Sequence, residues 1–207
     1  MMRRFALVSL IALSCSTKSA PFVPSQANVS TDLAPVSGIQ GEFLLRQQLV
    51  FRYTGGQGSF EAILQKHCTE LTVVGLTPFG TRAFTLTQND RGVHAQVSSP
   101  QIWPFPPEYL LEDVHRVLIT PLSEGRMGDG VYERSHGSER IWEHWLDGQL
   151  TRREVQPKGG SHAWKVVIHF PDPSPRYWPP TVVRLENDLW GYELEITTLS
   201  RRELSCP

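Results

Sequence analysis

The residues with the richest chemistry fall in one short stretch: His136, Glu139, Glu143 and His144. Imidazole and carboxylate groups bind zinc-type ions and shuttle protons. A zinc hydrolase would need two His one helical turn apart with a Glu beside the first, and no His-Glu-x-x-His run occurs. Gly137 weakens any helix there, so the four read as solvated charges on an edge segment. Asp113-Val114-His115 offers a second acid and imidazole, but residues two apart on a helix face different ways. His67-Cys68 could form a thiol nucleophile with its base. No Gly-x-Ser-x-Gly elbow is present, no phosphate-cradling Gly loop precedes a helix, and Gly128-Asp129-Gly130 reads as a turn. The sequence therefore offers no catalytic residue, metal or cofactor, and points to a binding protein.

The three Cys carry a different kind of information. Met1-Met2-Arg3-Arg4 is a positively charged start, and Phe5 to Ser14 is an apolar run too short to span a bilayer. That is the pattern of a signal peptide, residues 1–14. Its end, Ala12-Leu13-Ser14-Cys15, resembles a bacterial lipobox, in which Cys15 would receive lipid (palmitate among its acyl groups) and become the first mature residue. The alternative is an ordinary secretory signal with a chance Cys. With Cys15 lipidated, Cys68 and Cys206 remain as an even pair in an oxidising compartment. They either bridge, pinning the C-terminal tail to the sheet, or stay independent thiols.

The chain's 207 residues suffice for one domain with a substantial core. Its formal net charge of -1, without any basic block, argues against nucleic acid as a partner. Residues 15–40 have no apolar periodicity and read as the lipidated Cys followed by a flexible tether. Ser16 in place of Asp after Cys15 matches, by resemblance to enterobacterial lipoproteins, sorting to the outer membrane, facing the periplasm. The folded domain is expected over 41–207.

Those residues must be positioned by a sheet. Phe43, Leu45, Leu49, Phe51 and Tyr53 share one face, with Gln47 interrupting. Phe60, Ala62 and Leu64 continue on a return strand, Leu71 and Val73 on a third, Arg82 to Thr87 on a fourth. Asn89 to Gly92 is a hairpin turn before Val93, Ala95 and Val97. After a Pro-rich loop, Leu110, Leu111, Val114 and Leu118 have helical spacing, ended by Pro121. Gly125 to Gly130 reads as a flexible loop. Glu139 to Asp147 fits a helix or a strand, the strand being preferred. Leu150 to Val155 pairs with Trp164 to Phe170. Val183 and Leu185 alternate with charges, as do Tyr192, Leu194 and Ile196. Period-two alternation with short turns predicts a mainly β protein: antiparallel strands, one face apolar, interrupted by one helix.

Several segments resemble the bacterial lipoprotein-localisation (Lol) proteins, the periplasmic carrier and its outer-membrane receptor. They are the Thr77-Pro78-Phe79-Gly80 corner before Thr81-Arg82-Ala83-Phe84, the run Gln149 to Phe170 with Trp164-Lys165-Val166-Val167, and Pro180 to Leu199. Leu110-Leu111-Glu112-Asp113-Val114 and Gly191-Tyr192-Glu193-Leu194 resemble an uncharacterised family of short bacterial lipoproteins, a domain-of-unknown-function family thought to share that fold. The resemblance covers roughly residues 41 to 200. It implies an antiparallel sheet curled into an incomplete (half) barrel, with one or two helices covering the open side and acyl chains bound between. The receptor also has an exposed loop with a protruding apolar residue. Thr54 to Gly58 is polar and offers no counterpart, which leaves general acyl-chain, glycolipid or lipoprotein handling.

On this reading the lid comprises Trp103, Phe105, Tyr109, Leu110, Leu111 and Val114. The sheet contributes Phe43, Leu45, Phe84, Trp164, Ile168, Tyr192 and Leu194. Each buried methylene gains about 0.8 kcal/mol, so a chain binds without specific polar contacts. The alternative is a structural or assembly lipoprotein whose cavity is filled by its own side chains and whose sheet and lid bind a protein partner.

Overall fold

The computed structural model describes residues 33–98, 109–118, 128–159, 164–171 and 180–206. Eleven strands form one sheet: β1 (Phe43–Tyr53), β2 (Gly56–His67), β3 (Glu70–Leu76), β4 (Arg82–Asn89), β5 (Gly92–Val97), β6 (Gly130–His136), β7 (Glu139–Leu146), β8 (Gln149–Pro157), β9 (Val166–His169), β10 (Val182–Asn187) and β11 (Tyr192–Glu203). A single described helix, α1 (Tyr109–Leu118), separates β5 from β6. No described helix is long and apolar enough to cross a membrane.

Every strand pairing is antiparallel. The sheet order is β5-β4-β3-β2-β1-β11-β10-β9-β8-β7-β6. Two meanders, β1 to β5 and β6 to β11, are joined at the centre by β1 against β11. The chain leaves one outer edge at β5, passes through α1 and re-enters at the other edge, β6.

The sheet is an incomplete barrel, because α1 touches distant strands at once. His115 meets Gln88 on β4, while the carbonyl of the next residue, Arg116, accepts from Arg153 on β8. β4 and β8 are seven strand positions apart. In a flat sheet that is about 34 Å at the usual strand spacing, whereas a helix is about 10–12 Å across. Only a strongly curled sheet brings both strands to adjacent residues of one helix.

The alternation seen in the sequence sets the inner face. Phe43, Leu45, Gln47, Leu49 and Phe51 point inward from β1, and Phe60, Ala62, Leu64, Leu71, Val73, Phe84 and Leu86 from the next three strands. A bulge lets Gln47 keep this register: Arg46 faces Ser200 and Gln47 faces Thr198, so Leu199 has no partner and is exposed. The Gln47 side-chain amide donates to the Thr198 hydroxyl at 3.3 Å.

Three expectations are corrected. Structure begins before residue 41: Val36 and Ile39 are buried in the core, and Ala34 O accepts from the Gln88 side chain at 2.9 Å. Residues 33–40 therefore belong to the folded domain and not to the tether. Of the expected Gly125 to Gly130 loop, residues 125–127 lie outside the described residues, and Gly130 already opens a strand, β6. β5 exposes both faces, so Val93 and Ala95 do not join the core. Edge strands have a neighbour on one side only, and both β5 and β6 are edges.

Gly75 sits opposite Phe84, and a Cβ there would lie 2.0 Å from the fully buried ring. The ring lies across the strand because the glycine has no side chain. Gly75→Ala is expected to lower unfolding stability by about 1–3 kcal/mol through overpacking, read from urea titrations. An unchanged midpoint would show that Phe84 moves aside freely.

Candidate functional site

The residues proposed to line an acyl site form one continuous apolar cluster. Phe43, Leu45, Phe84, Leu111 and Ile168 are fully buried, and Leu110, Tyr192 and Leu194 nearly so. Tyr109, Val114 and Trp164 are half-buried against them. Trp103, Phe105 and Cys15 lie outside the described residues. α1 thus lies over the apolar inner face, as the resemblance implied.

What sequence reasoning missed is how α1 is held. Its apolar stripe supplies only half of its buried residues. Glu112, Asp113, His115 and Arg116 are buried too. Arg116 is the hub. Its guanidinium donates to Asp113 at 2.8 Å, to Glu139 at 2.7 and 2.9 Å and to Glu112 at 3.2 Å, and lies 5.0 Å from the centre of the Trp164 ring. The other Asp113 oxygen accepts from the Asn187 amide at 2.9 Å and from the Tyr192 hydroxyl. Tyr109 stacks on Trp190 with ring centres 4.1 Å apart.

The C-terminal end of the helix meets a second charged group. Arg153 and Glu143 are both fully buried, with guanidinium-to-carboxylate bonds of 2.7 and 3.1 Å. Arg134 donates to the same Glu143 oxygen at 3.0 Å. Arg153 also donates to the Arg116 carbonyl at 2.5 Å and to that of Val117 at 3.4 Å. Carbonyls in the last turn of a helix have no partner within it and carry partial negative charge, so a cation there satisfies and steadies them.

These contacts correct the reading of His136, Glu139, Glu143 and His144 as solvated charges. The strand alternation of β7 splits them: Glu143 is buried inside, Glu139 is paired with Arg116, and His144 faces outward to Glu154 at 3.2 Å. They still do not form a metal set. Among the described residues, only His67, Cys68 and Cys206 bring three ligand atoms together, and the two sulfurs are joined as a disulfide. The buried charges could have been suspected from β7, where Ile141, Glu143 and Trp145 share one face. Their partner Arg153 sits on β8 between Leu150 and Val155, where alternation alone does not mark it.

The opposite apolar expectation also changes. Phe79 stands almost fully exposed, at 91 %, in the turn joining β3 to β4. The Thr54 to Gly58 turn is polar, and the turn joining β3 to β4 carries the protruding apolar residue. Strand directions place Phe79 at the end of the sheet opposite the chain entry at residues 33–42 and the Cys68–Cys206 bridge.

A half barrel whose concave face is covered by a crossing helix is an architecture found in other known proteins. The chain belongs to the DUF3261 family of proteins of unknown function, whose pattern matches residues 44–200. No curated protein matches the sequence. A domain assigned to outer membrane lipoprotein sorting, from Vibrio parahaemolyticus, is similar in structure at TM-score 0.50 and 11% identity, covering 80% of this chain and 86% of its own. A DUF1329 family protein from Desulfovibrio piger is similar at TM-score 0.50 and 14% identity, covering 82% and 89%. A LolA superfamily protein from Nitrosomonas europaea aligns at TM-score 0.46 and 12% identity, covering 81% and 88%. The half-barrel fold is therefore shared with the Vibrio parahaemolyticus and Desulfovibrio piger structures.

Two buried groups on α1 titrate in opposite senses. Burial, with Asp113 and Glu139 nearby, raises Glu112 from 4.5 to about 7 against the pull of Arg116. Burial, with His136 and Arg116, lowers His115 from 6.5 to about 4. Between pH 4.5 and 7 the folded Glu112 binds more proton than the unfolded, so its contribution to stability falls as pH rises. Between pH 4 and 6.5 folded His115 binds less, so its contribution rises with pH. The slopes oppose between about 4.5 and 6.5. Relative to the native chain, Glu112→Gln should therefore make stability climb more steeply across that window, and His115→Gln should make it climb less. Urea midpoints in a buffer series measure both. Curves parallel to the native one would show that these groups do not titrate as placed.

Proposed function

We propose that this protein is a non-enzymatic acyl-chain carrier of the bacterial envelope. On this reading residues 1–14 are a signal peptide, Cys15 bears the lipid anchor, and the domain faces the periplasm from the outer membrane. It binds and passes on the acyl chain of a lipid, glycolipid or lipoprotein. The observation that carries the reading is the mismatch between the floor of α1 and its fastenings. Between the polar contacts at β4 and β8 the floor is apolar sheet, which would accept a hydrocarbon chain in place of the helix. The fastenings, apart from the Tyr109–Trp190 stack, are ion pairs and hydrogen bonds, which water can replace once the helix lifts. The lipoprotein-sorting assignment of a structural neighbour is in keeping with this reading. Phe79 is suited to enter a bilayer or a partner's groove at the end remote from the anchor.

The second reading, an assembly lipoprotein that binds a protein partner, has its own support. The inner face is filled by large side chains, including Phe43, Phe84, Leu86 and Leu111, with α1 in place. If α1 never leaves, the apolar face is only a core.

Residues 16–207, which contain the whole described fold, can be produced in the periplasm without Cys15. Native mass spectra before and after organic extraction should show a bound lipid mass that extraction removes. Leu111→Glu, with the fold intact, should lose it. A bare polypeptide mass that takes up neither fatty acid nor phospholipid would refute the carrier reading and favour the assembly one. Phe79→Glu should keep the bound lipid but slow its transfer to vesicles by tenfold or more, whereas an unchanged rate would remove Phe79 from the delivery step.

A further inference from the structure

The end of the sheet where the chain enters carries a group of side chains that the carrier reading does not use. His67 ends β2, Cys68 begins the turn to β3, and Cys206 lies in the tail beyond β11. Their ligand atoms, one ring nitrogen and two sulfurs, all lie within 4.8 Å of one another. The sulfurs are joined as a disulfide. Their proximity does not rest on that bond alone, because Glu42 holds both segments. Its carbonyl accepts from the Leu204 amide at 3.0 Å, and its carboxylate accepts from the Cys68 amide at 2.6 Å and pairs with Lys66. His67 is fixed by the same tail, its Nε2 lying 3.3 Å from the Ser205 carbonyl. A carbonyl can only accept, so Nε2 carries the proton in the neutral ring and Nδ1 keeps a free lone pair. A hydrogen bond from the second nitrogen is how ligating imidazoles are commonly oriented. Cys206 is exposed, and His67 and Cys68 are half-buried. An open groove of about 500 Å³ lies alongside, walled in part by His67, Arg202 and Ser205.

We propose that, once the Cys68–Cys206 bridge is reduced, His67, Cys68 and Cys206 form a binding site for one thiophilic metal ion, zinc or copper(I). The site is independent of the carrier reading. Thiolates select these ions and imidazole suits them. Reduction by a dithiol supplies two electrons and two protons: the dithiol leaves as its own disulfide, and the protein keeps two thiols. On binding, both thiols give their protons to solvent and coordinate as thiolates. Two zinc–sulfur bonds of about 2.3 Å at the tetrahedral angle set the sulfurs about 3.8 Å apart. With the Cα atoms 5.6 Å apart, the sulfurs reach that spacing by side-chain rotation while Glu42 keeps the two backbones in place. For zinc, three protein ligands leave the fourth position to water from the groove. Disulfide and metal then become alternative clasps for the C-terminal tail, and a bound ion shields the thiols from reoxidation.

Residues 16–207 contain no cysteine besides this pair. Reduced with a phosphine, freed of it without air and titrated with cobalt(II) as a zinc probe, they should develop thiolate-to-cobalt charge-transfer absorption that saturates at one ion per chain. Zinc or copper(I) should remove the absorption, and the ion that does so at the lower free concentration is the preferred one. The oxidised protein should show no such band. Cys206→Ser should abolish binding, and His67→Gln should weaken it by about tenfold or more. Oxidised His67→Gln should keep the native urea midpoint, so that the loss reads coordination. Independently, the His67 ring proton resonances of the reduced native protein should shift in step with added zinc. No band after reduction, saturation at one ion per two chains, unchanged affinity in His67→Gln or unmoved His67 resonances would each overturn the site. No arm contains lipid, so none of these outcomes touches the carrier reading.

Discussion

The structure depends on one ten-residue helix reaching both halves of a sheet that would otherwise be far apart. α1 meets β4 through His115 and β8 through the carbonyls that Arg153 holds. The sheet can stay curled, with β5 and β6 unpaired to each other, because the helix fills the concave side. Closure of β5 on β6 would remove the need for the helix and the space beneath it. The open seam and the crossing helix are thus two aspects of one solution.

The manner of attachment decides how that solution can work. A helix packed by hydrocarbon alone would be hard to lift, since every exposed methylene costs free energy. Breaking a buried ion pair by removing one partner is costly as well. α1 differs because its charges pair mostly with each other and with groups near the β6–β8 side. Arg116 carries Asp113 and Glu112 on the same helix, so much of the network can move with it. Asp113 also ties it to Asn187 and Tyr192, and burial beside Asp113 holds the Tyr192 hydroxyl in its protonated, donating form.

Much of the fold could be read from the sequence because a strand's period is two. One slip in β11 would put Glu193 and Glu195 inside, so the register Leu185 to Leu194 follows from the pattern. The half-barrel class came from the resemblance, and the sheet order bears it out. The edge strands were harder: β5 and β6 bury little, so they carry little alternation to detect. The charged fastening was least legible. Glu112, Asp113 and Arg116 on an amphipathic helix look like an ordinary wet face. Only the curl of the sheet, which brings β7 and β8 round to that face, makes them interior. Phe79 was hidden for the opposite reason, since an apolar residue in a sequence is assumed to be buried until its turn is seen.

On the carrier reading, ligand and α1 compete for the same apolar floor. Hydrogen exchange of residues 109–118, followed by mass spectrometry with and without saturating palmitate, tests this most directly. The expected result is faster exchange in α1 when palmitate is bound, with β1 to β4 as protected as before. Palmitate that binds while α1 stays equally or better protected would contradict it, and would place the ligand somewhere other than beneath the helix.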